Sequence, residues 1–398
     1  MAIQEQDIQT SKTTPTPPDK TENEVQSTVV VPGPYRMPSH PWWRGVASPL
    51  GILFLSIIVM VAILFFSIGS SMVGGNNSSA STGDTTAANN TSASSSSSMS
   101  MNSTATATTN VPAATQSYGN QPAKYVLDAD GAKHFTLTAK QVMWSPVKGL
   151  KPVLADTLDG TVPGPVIHVT AGDHVRITVI NHLPQSTSMH WHGLMLPSSV
   201  DGVPGIGQKS IQPGQTYTYD FTIRDEDAGT HWYHSHDNDL QQVTSGFYGA
   251  FLVDPRPGSP QEKTAIHADV DVIDMISELG GYYVISGKSF PDTQVINLKH
   301  GQTVHIRLIG ASEMMHPMHL HGTYFNIVAE DGRPLAQPIQ KDTVQVAPGE
   351  TYDLTFYGWA APGSIYPFHC HILSHLMNPG QSMTEMGGLV QLVEYAKA

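Results

Sequence analysis

Four short motifs in this 398-residue chain place histidines two positions apart: His190-Trp191-His192, His234-Ser235-His236, His319-Leu320-His321 and His369-Cys370-His371. Alternate residues of a β-strand point to the same face, so each pair presents two imidazoles in one direction. Imidazole suits copper and other late transition metals, and a soft thiolate beside it selects a redox-active copper site. One such pair alone is more often a structural pair with satisfied hydrogen bonds. Four pairs, one of them enclosing the only cysteine of the chain, read as a ligand set for metal. A single cysteine also excludes any disulfide within the chain, which leaves Cys370 as inert filler or as chemistry.

The pairs recur in register. Gly172 stands 18 residues before His190, and Gly301 stands 18 before His319. Pro213-Gly214-Gln215-Thr216-Tyr217 reappears 135 residues later as Pro348-Gly349-Glu350-Thr351-Tyr352, and the same offset carries 234–236 onto 369–371. Leu252-Val253-Asp254 matches Leu392-Val393-Glu394 at an offset of 140. Two copies of one unit, 122–258 and 262–398, account for these matches. Within them, β-branched runs such as 166–170 and 174–180 alternate with Gly and Pro turn signals, and no amphipathic helix of a dozen residues stands out. The expectation is an all-β protein made of two tandem sandwiches.

What precedes the copies is of another kind. Residues 1–48 are polar and Pro-rich and read as a disordered cytoplasmic segment. Leu50 to Ile68 is an uncharged apolar run, which predicts a transmembrane anchor over 49–69. The long segment in front of it argues against a cleaved signal peptide. Arg36 and Arg44 flank Trp42 and Trp43 just before the run, and no Lys or Arg follows until Lys124. That asymmetry predicts an exported remainder, attached to the cell membrane. Residues 70–121 are rich in Ser, Thr and Asn, with Asn-x-Ser/Thr sequons at Asn76, Asn89 and Asn102, and read as a linker. A net charge of −13 argues against a nucleic-acid partner.

From 122 to 398 the chain resembles the multicopper oxidases. The likeness rests on His-Trp-His-Gly at 190–193, His-Trp-Tyr-His-Ser-His at 231–236, His-Pro-Met-His-Leu-His-Gly at 316–322 and His-Cys-His-Ile-Leu-Ser-His at 369–375. It implies two cupredoxin-like Greek-key domains and four copper ions per chain. By position, His190 and His319 would hold the type 2 copper, and His192, His234, His236, His321, His369 and His371 the type 3 pair. His316, Cys370 and His375 would form the blue type 1 site. The family places a weak axial ligand ten residues after the cysteine, which here is Gly380. The second copy is longer in this stretch, so the expectation moves to Met386, with Met383 as the alternative. Asp201 resembles the acid that delivers protons to the cluster, and His231 reads as structural.

The first copy has Thr187, Ser235 and Leu240 where the second has His316, Cys370 and His375, so one type 1 site per chain is expected, in the second domain. The resemblance to small laccases further implies a homotrimer with clusters shared across subunit boundaries. The activity implied is one-electron oxidation of a small phenolic or other organic donor, coupled to four-electron reduction of dioxygen to water. Met314, Met315, Met318, Met377 and Met383 near the type 1 motifs keep cuprous ion open as the donor. A copper nitrite reductase needs no type 3 pair, and a copper carrier would need only the blue site, so both fit the motifs less well.

Overall fold

The computed structural model describes residues 111–398, apart from Met383 and Ala398. The anchor expected at 49–69 and most of the linker lie outside the described residues. Among those described, no helix is long and apolar enough to cross a membrane.

The first copy contributes β1 (Tyr125–Leu127), β2 (Lys133–Trp144), β3 (Val153–Leu158), β4 (Ile167–Thr170), β5 (His174–Asn181), β6 (His190–His192), β7 (Thr216–Thr222), β8 (Gly229–His234), the short helix α1 (Asp239–Thr244) and β9 (Tyr248–Asp254). The second contributes β10 (Val270–Leu279), β11 (Tyr282–Ile285), β12 (Ile296–Leu298), β13 (Thr303–Gly310), β14 (His316–Leu320), β15 (Phe325–Glu330), β16 (Arg333–Lys341), β17 (Thr343–Val346), β18 (Thr351–Tyr357), β19 (Ile365–Cys370) and β20 (Val390–Tyr395). The described chain is nearly all-β, as the turn spacing and absence of helical periodicity imply.

Each copy is two facing sheets, and the sequence repeat has a topological counterpart. The strands with the histidine pairs lie side by side: β6 pairs with β8 in the order β4-β9-β8-β6, and β14 with β19 in the order β12-β20-β19-β14-β17. Each of these sheets has one parallel pair at matched places, β4 with β9 and β12 with β20. In the opposing sheets β2 runs parallel to β5, and β10 to β13. Strand alternation then sorts side chains between core and outer face.

Three apolar cores hold this frame. One fills the first sandwich around Phe135, Trp191, Tyr233 and Phe251, and a second fills the other around Leu320, Phe325, Leu354 and Phe368. The third joins the copies: Trp144, Val162, Trp232 and Tyr248 pack with Met275, Leu279, Val284 and Ile309. Trp144 is fully buried and its indole N–H donates to the Gly287 carbonyl at 2.7 Å. A polar cluster reinforces the junction, where the Thr230 hydroxyl donates to the Asp353 carboxylate at 2.7 Å and Arg307 donates to the Thr230 oxygen at 2.9 Å.

The folded body begins before residue 122. Residues 112–114 pair with Met143 of β2, from the Ala114 N–H to the Met143 carbonyl and from the Met143 N–H to the Pro112 carbonyl. The Asn120 side chain donates to the Ile273 carbonyl in the second copy at 3.1 Å. These residues carry no apolar pattern, which is why composition assigns them to the linker.

Candidate metal centres

Alternation along β14 and β19 builds the first centre. On β14, His316, Met318 and Leu320 point into the core, while His319 faces outward. On β19, Cys370 points inward and His369 outward, and Met318 lies opposite Cys370 in the ladder. His375 arrives from a single 3-10 turn at Leu373–Leu376. The three inward groups converge: Cys370 Sγ is 3.7 Å from Nδ1 of His316 and 3.7 Å from Nδ1 of His375, and the two nitrogens are 3.1 Å apart. The centre of that triangle lies about 2.0 Å from each atom, an ordinary metal–imidazole bond length. His316 and Cys370 are fully buried and His375 nearly so. Burial pushes the Cys370 thiol up to about 11, so a cation held here would displace its proton. Two imidazoles and one thiolate in a dry pocket fit copper.

Groups distant in sequence orient this trio. The Ser312 oxygen is 2.7 Å from Nε2 of His316, and the Ser312 hydroxyl donates to the Glu278 carboxylate at 2.6 Å. That bond reserves Nδ1 of His316 for the cluster side. Burial raises the Glu278 carboxyl, but hydrogen bonds from His316 and Ser312 outweigh it and hold the group below its ordinary range. The His375 ring stacks on Tyr283 at 4.0 Å. Backbone bonds close the site, from the Cys370 N–H to the Leu389 carbonyl and from the Leu389 N–H to the His375 carbonyl, both at 3.0 Å.

The eight histidines of the His-x-His pairs form two tetrads, one per copy. In the first, the His190 ring lies 5.6, 5.2 and 5.5 Å from those of His192, His234 and His236. In the second, the His319 ring lies 4.8, 5.8 and 5.8 Å from those of His321, His369 and His371. The anchoring is the same in both. Nδ1 of His190 bonds the Asp201 carbonyl at 2.7 Å and Nδ1 of His319 bonds the Asp342 carbonyl at 2.8 Å. Nδ1 of His234 bonds the Ser235 carbonyl and Nδ1 of His369 the Cys370 carbonyl, each at 2.7 Å. Each bond fixes the tautomer that leaves Nε2 free to ligate. Burial, followed by the charge of His190, pushes His192 down to about 4 and His234 to about 3, which keeps both neutral as ligands. Among the described residues, no ring of one tetrad packs on a ring of the other. A cavity of about 430 Å³ opens over the first tetrad, walled by Ser312 and Glu313 of the second copy.

The other residues singled out from sequence fall as follows. The Asp201 carboxylate is 3.5 Å from Nδ1 of His190 and partly exposed. His231 is buried and bonds the Asp227 carbonyl at 2.8 Å, away from the tetrad. Met386 is 55% exposed, unlike the buried trio, and lines a cavity of about 400 Å³ with Leu373, Leu376 and Met377. Met383 is not described. Sequence reasoning missed Glu278, Ser312 and Asp342. Asp342 alone left a trace, since it stands 141 residues after Asp201, close to the repeat offsets.

Two family models, each described as multicopper oxidase, match residues 138–258 and 256–383. The chain belongs to the multicopper oxidases. The blue copper oxidase of Nitrosomonas europaea is 36% identical in sequence, with a TM-score of 0.60 over 66% of this chain and 85% of that one. Laccase-15 of Oryza sativa subsp. japonica is 31% identical over 54% of this chain and 40% of its own length. Copper resistance protein A of Escherichia coli is 27% identical over 50% of this chain and 42% of its own length. The chain thus spans about two fifths of these curated relatives. Multicopper oxidases are copper-dependent oxidoreductases that use dioxygen and carry type 1, type 2 and type 3 copper.

Proposed function

We propose that this chain oxidises a small phenolic or other organic donor one electron at a time at the His316–Cys370–His375 site and delivers the electrons to dioxygen at a three-copper cluster. Copper, when bound, supplies the one-electron redox steps and the binding of dioxygen. The observation that carries the reading is the alternation at 369–371: Cys370 faces the buried trio while His369 faces the outward tetrad. The thiolate is therefore tied to two tetrad ligands by its own backbone, and by the bond from His369 to the Cys370 carbonyl. In this reading His190 and His319 would hold the type 2 ion, the other six imidazoles would hold the type 3 pair, and Met386 would be the weak fourth ligand of the type 1 ion, the alternative Met383 lying outside the described residues. Asp201, 3.5 Å from His190, would relay protons for the reduction of dioxygen.

The separation of the tetrads supports assembly. A first-copy tetrad must meet the second-copy tetrad of another chain, and a head-to-tail contact of this kind closes into a ring or grows into a filament. A closed homotrimer, anchored to the cell membrane by 49–69 and exposing its copper domains outside the cytoplasm, satisfies that requirement. The largely apolar cavity beside His375 suits an organic donor. A second reading, oxidation of cuprous ion, is favoured by the exposed thioethers of Met314, Met315 and Met386. Oxygen uptake by the copper-loaded protein decides the matter: the proposal expects consumption driven by a phenol. Uptake with cuprous ion alone would select the second reading, and none with either donor would refute both.

A further inference from the structure

Behind the trio, two buried polar side chains face each other with half their hydrogen bonds unmade. Asp274 on β10 and Gln391 on β20 are each 1% exposed and point into the second core from opposite sheets. The Gln391 amide donates to Oδ1 of Asp274 at 3.1 Å. The other carboxylate oxygen, Oδ2, and the amide oxygen of Gln391 have no partner at all. Two acceptors left over on a pair already joined by one bond lack one thing, a proton between them. A buried unsatisfied acceptor is costly, and a buried unpaired carboxylate more so.

We propose that Asp274 keeps its proton in the folded chain and closes a two-bond acid–amide ring with Gln391, a positioning device that clamps the start of β20 behind Cys370 and His375. The clamp acts through three neighbouring residues. Leu389 bonds both the Cys370 N–H and the His375 carbonyl, the Val390 carbonyl accepts from the Thr293 hydroxyl at 2.7 Å, and Gln391 pairs with Phe368 two residues before the thiol. Burial pushes the Asp274 carboxyl up to about 7 against the Gln391 bond, in the direction the geometry requires. Among the described residues, no charged group on the surrounding elements offers an alternative partner. Arg307 on β13 is held by Asp271, His305 on β13 bonds Asp353 through Nε2 and lies 3.5 Å from Asp271 through Nδ1, and Glu278 on β10 is held by Ser312 and His316. Glu394 leaves β20 on the face opposite Gln391, and burial keeps the phenol of Tyr395 neutral.

Stability from this pair is complete below the pKa of the unfolded carboxyl and is lost as pH rises through about 7. Asp274→Asn carries a permanent amide that makes both bonds without a proton. In copper-free protein, the unfolding midpoint of wild type should therefore fall by about 5 °C relative to Asp274→Asn between about pH 5 and about pH 8. Because both proteins share His305 and every other titrating group, the difference isolates Asp274. Parallel curves would overturn the proton assignment. The role as a positioning device rests on the proposed function, and it is read separately from the thiolate–copper absorption. Asp274→Asn should keep that absorption, whereas Gln391→Leu should shift or bleach it. An unchanged band in Gln391→Leu would overturn the positioning role, and if that variant does not fold, the pH comparison still decides the pair. Absence of the band in wild type would instead refute the blue-site reading and leave the pH comparison standing.

Discussion

The same place in the two sandwiches is filled in opposite ways. In the second copy it holds His316, Cys370 and His375, three ligand groups within 3.7 Å of one another. In the first copy it holds Thr187 and Ser235, whose hydroxyls both donate to the Gln242 side-chain oxygen, at 2.8 and 2.5 Å. All three of those residues are fully buried, and Leu240, at the position of His375, turns out to solvent. The first copy thus satisfies its pocket with neutral hydrogen bonds, whereas the second gathers a metal-ligating set. The outward tetrads, by contrast, match down to the carbonyls that anchor His190 and His319, and His234 and His369. Strand alternation separates the two outcomes: the inward residue of the His-x-His pair can change from Cys to Ser without disturbing the outward ones.

The largest effect should come from making the second copy like the first. Cys370→Ser is expected to abolish thiolate–copper absorption and donor oxidation while the tetrads still bind copper; metal analysis with visible spectroscopy checks it. Next in size is the core that holds the copies together. Trp144→Ala should cost about 3–5 kcal/mol in chemical denaturation. Ser312→Ala removes the group that orients His316 and should lower type 1 copper affinity or turnover by roughly 10–100-fold. In the first copy, Gln242→Leu strips Thr187 and Ser235 of their acceptor. It should cost about 1–3 kcal/mol and leave the visible spectrum unchanged. A spectral change there would mean that the two pockets are not independent.

Much of this comparison is legible in the sequence because it is written in short-range terms. The His-x-His period matches the strand period, the repeat offsets align the copies, and Thr187, Ser235 and Leu240 stand where ligands would. The supporting groups are not legible, since they come from other strands. Glu278 lies 34 residues before Ser312, and Asp274 lies 117 before Gln391. Gln242 carries no signal in the sequence, and only the fold shows its amide turned toward Thr187 and Ser235. The axial position fails for a related reason: it sits in a loop with no strand register, so spacing from Cys370 does not specify where a side chain ends up.

The central claim is that each chain carries two half-sites that only another copy can complete. Sedimentation of the copper-loaded protein, with oxygen uptake assayed across the gradient, tests it most directly. Activity confined to fractions holding three chains is the predicted result, and donor-driven oxygen consumption by a single chain would contradict it.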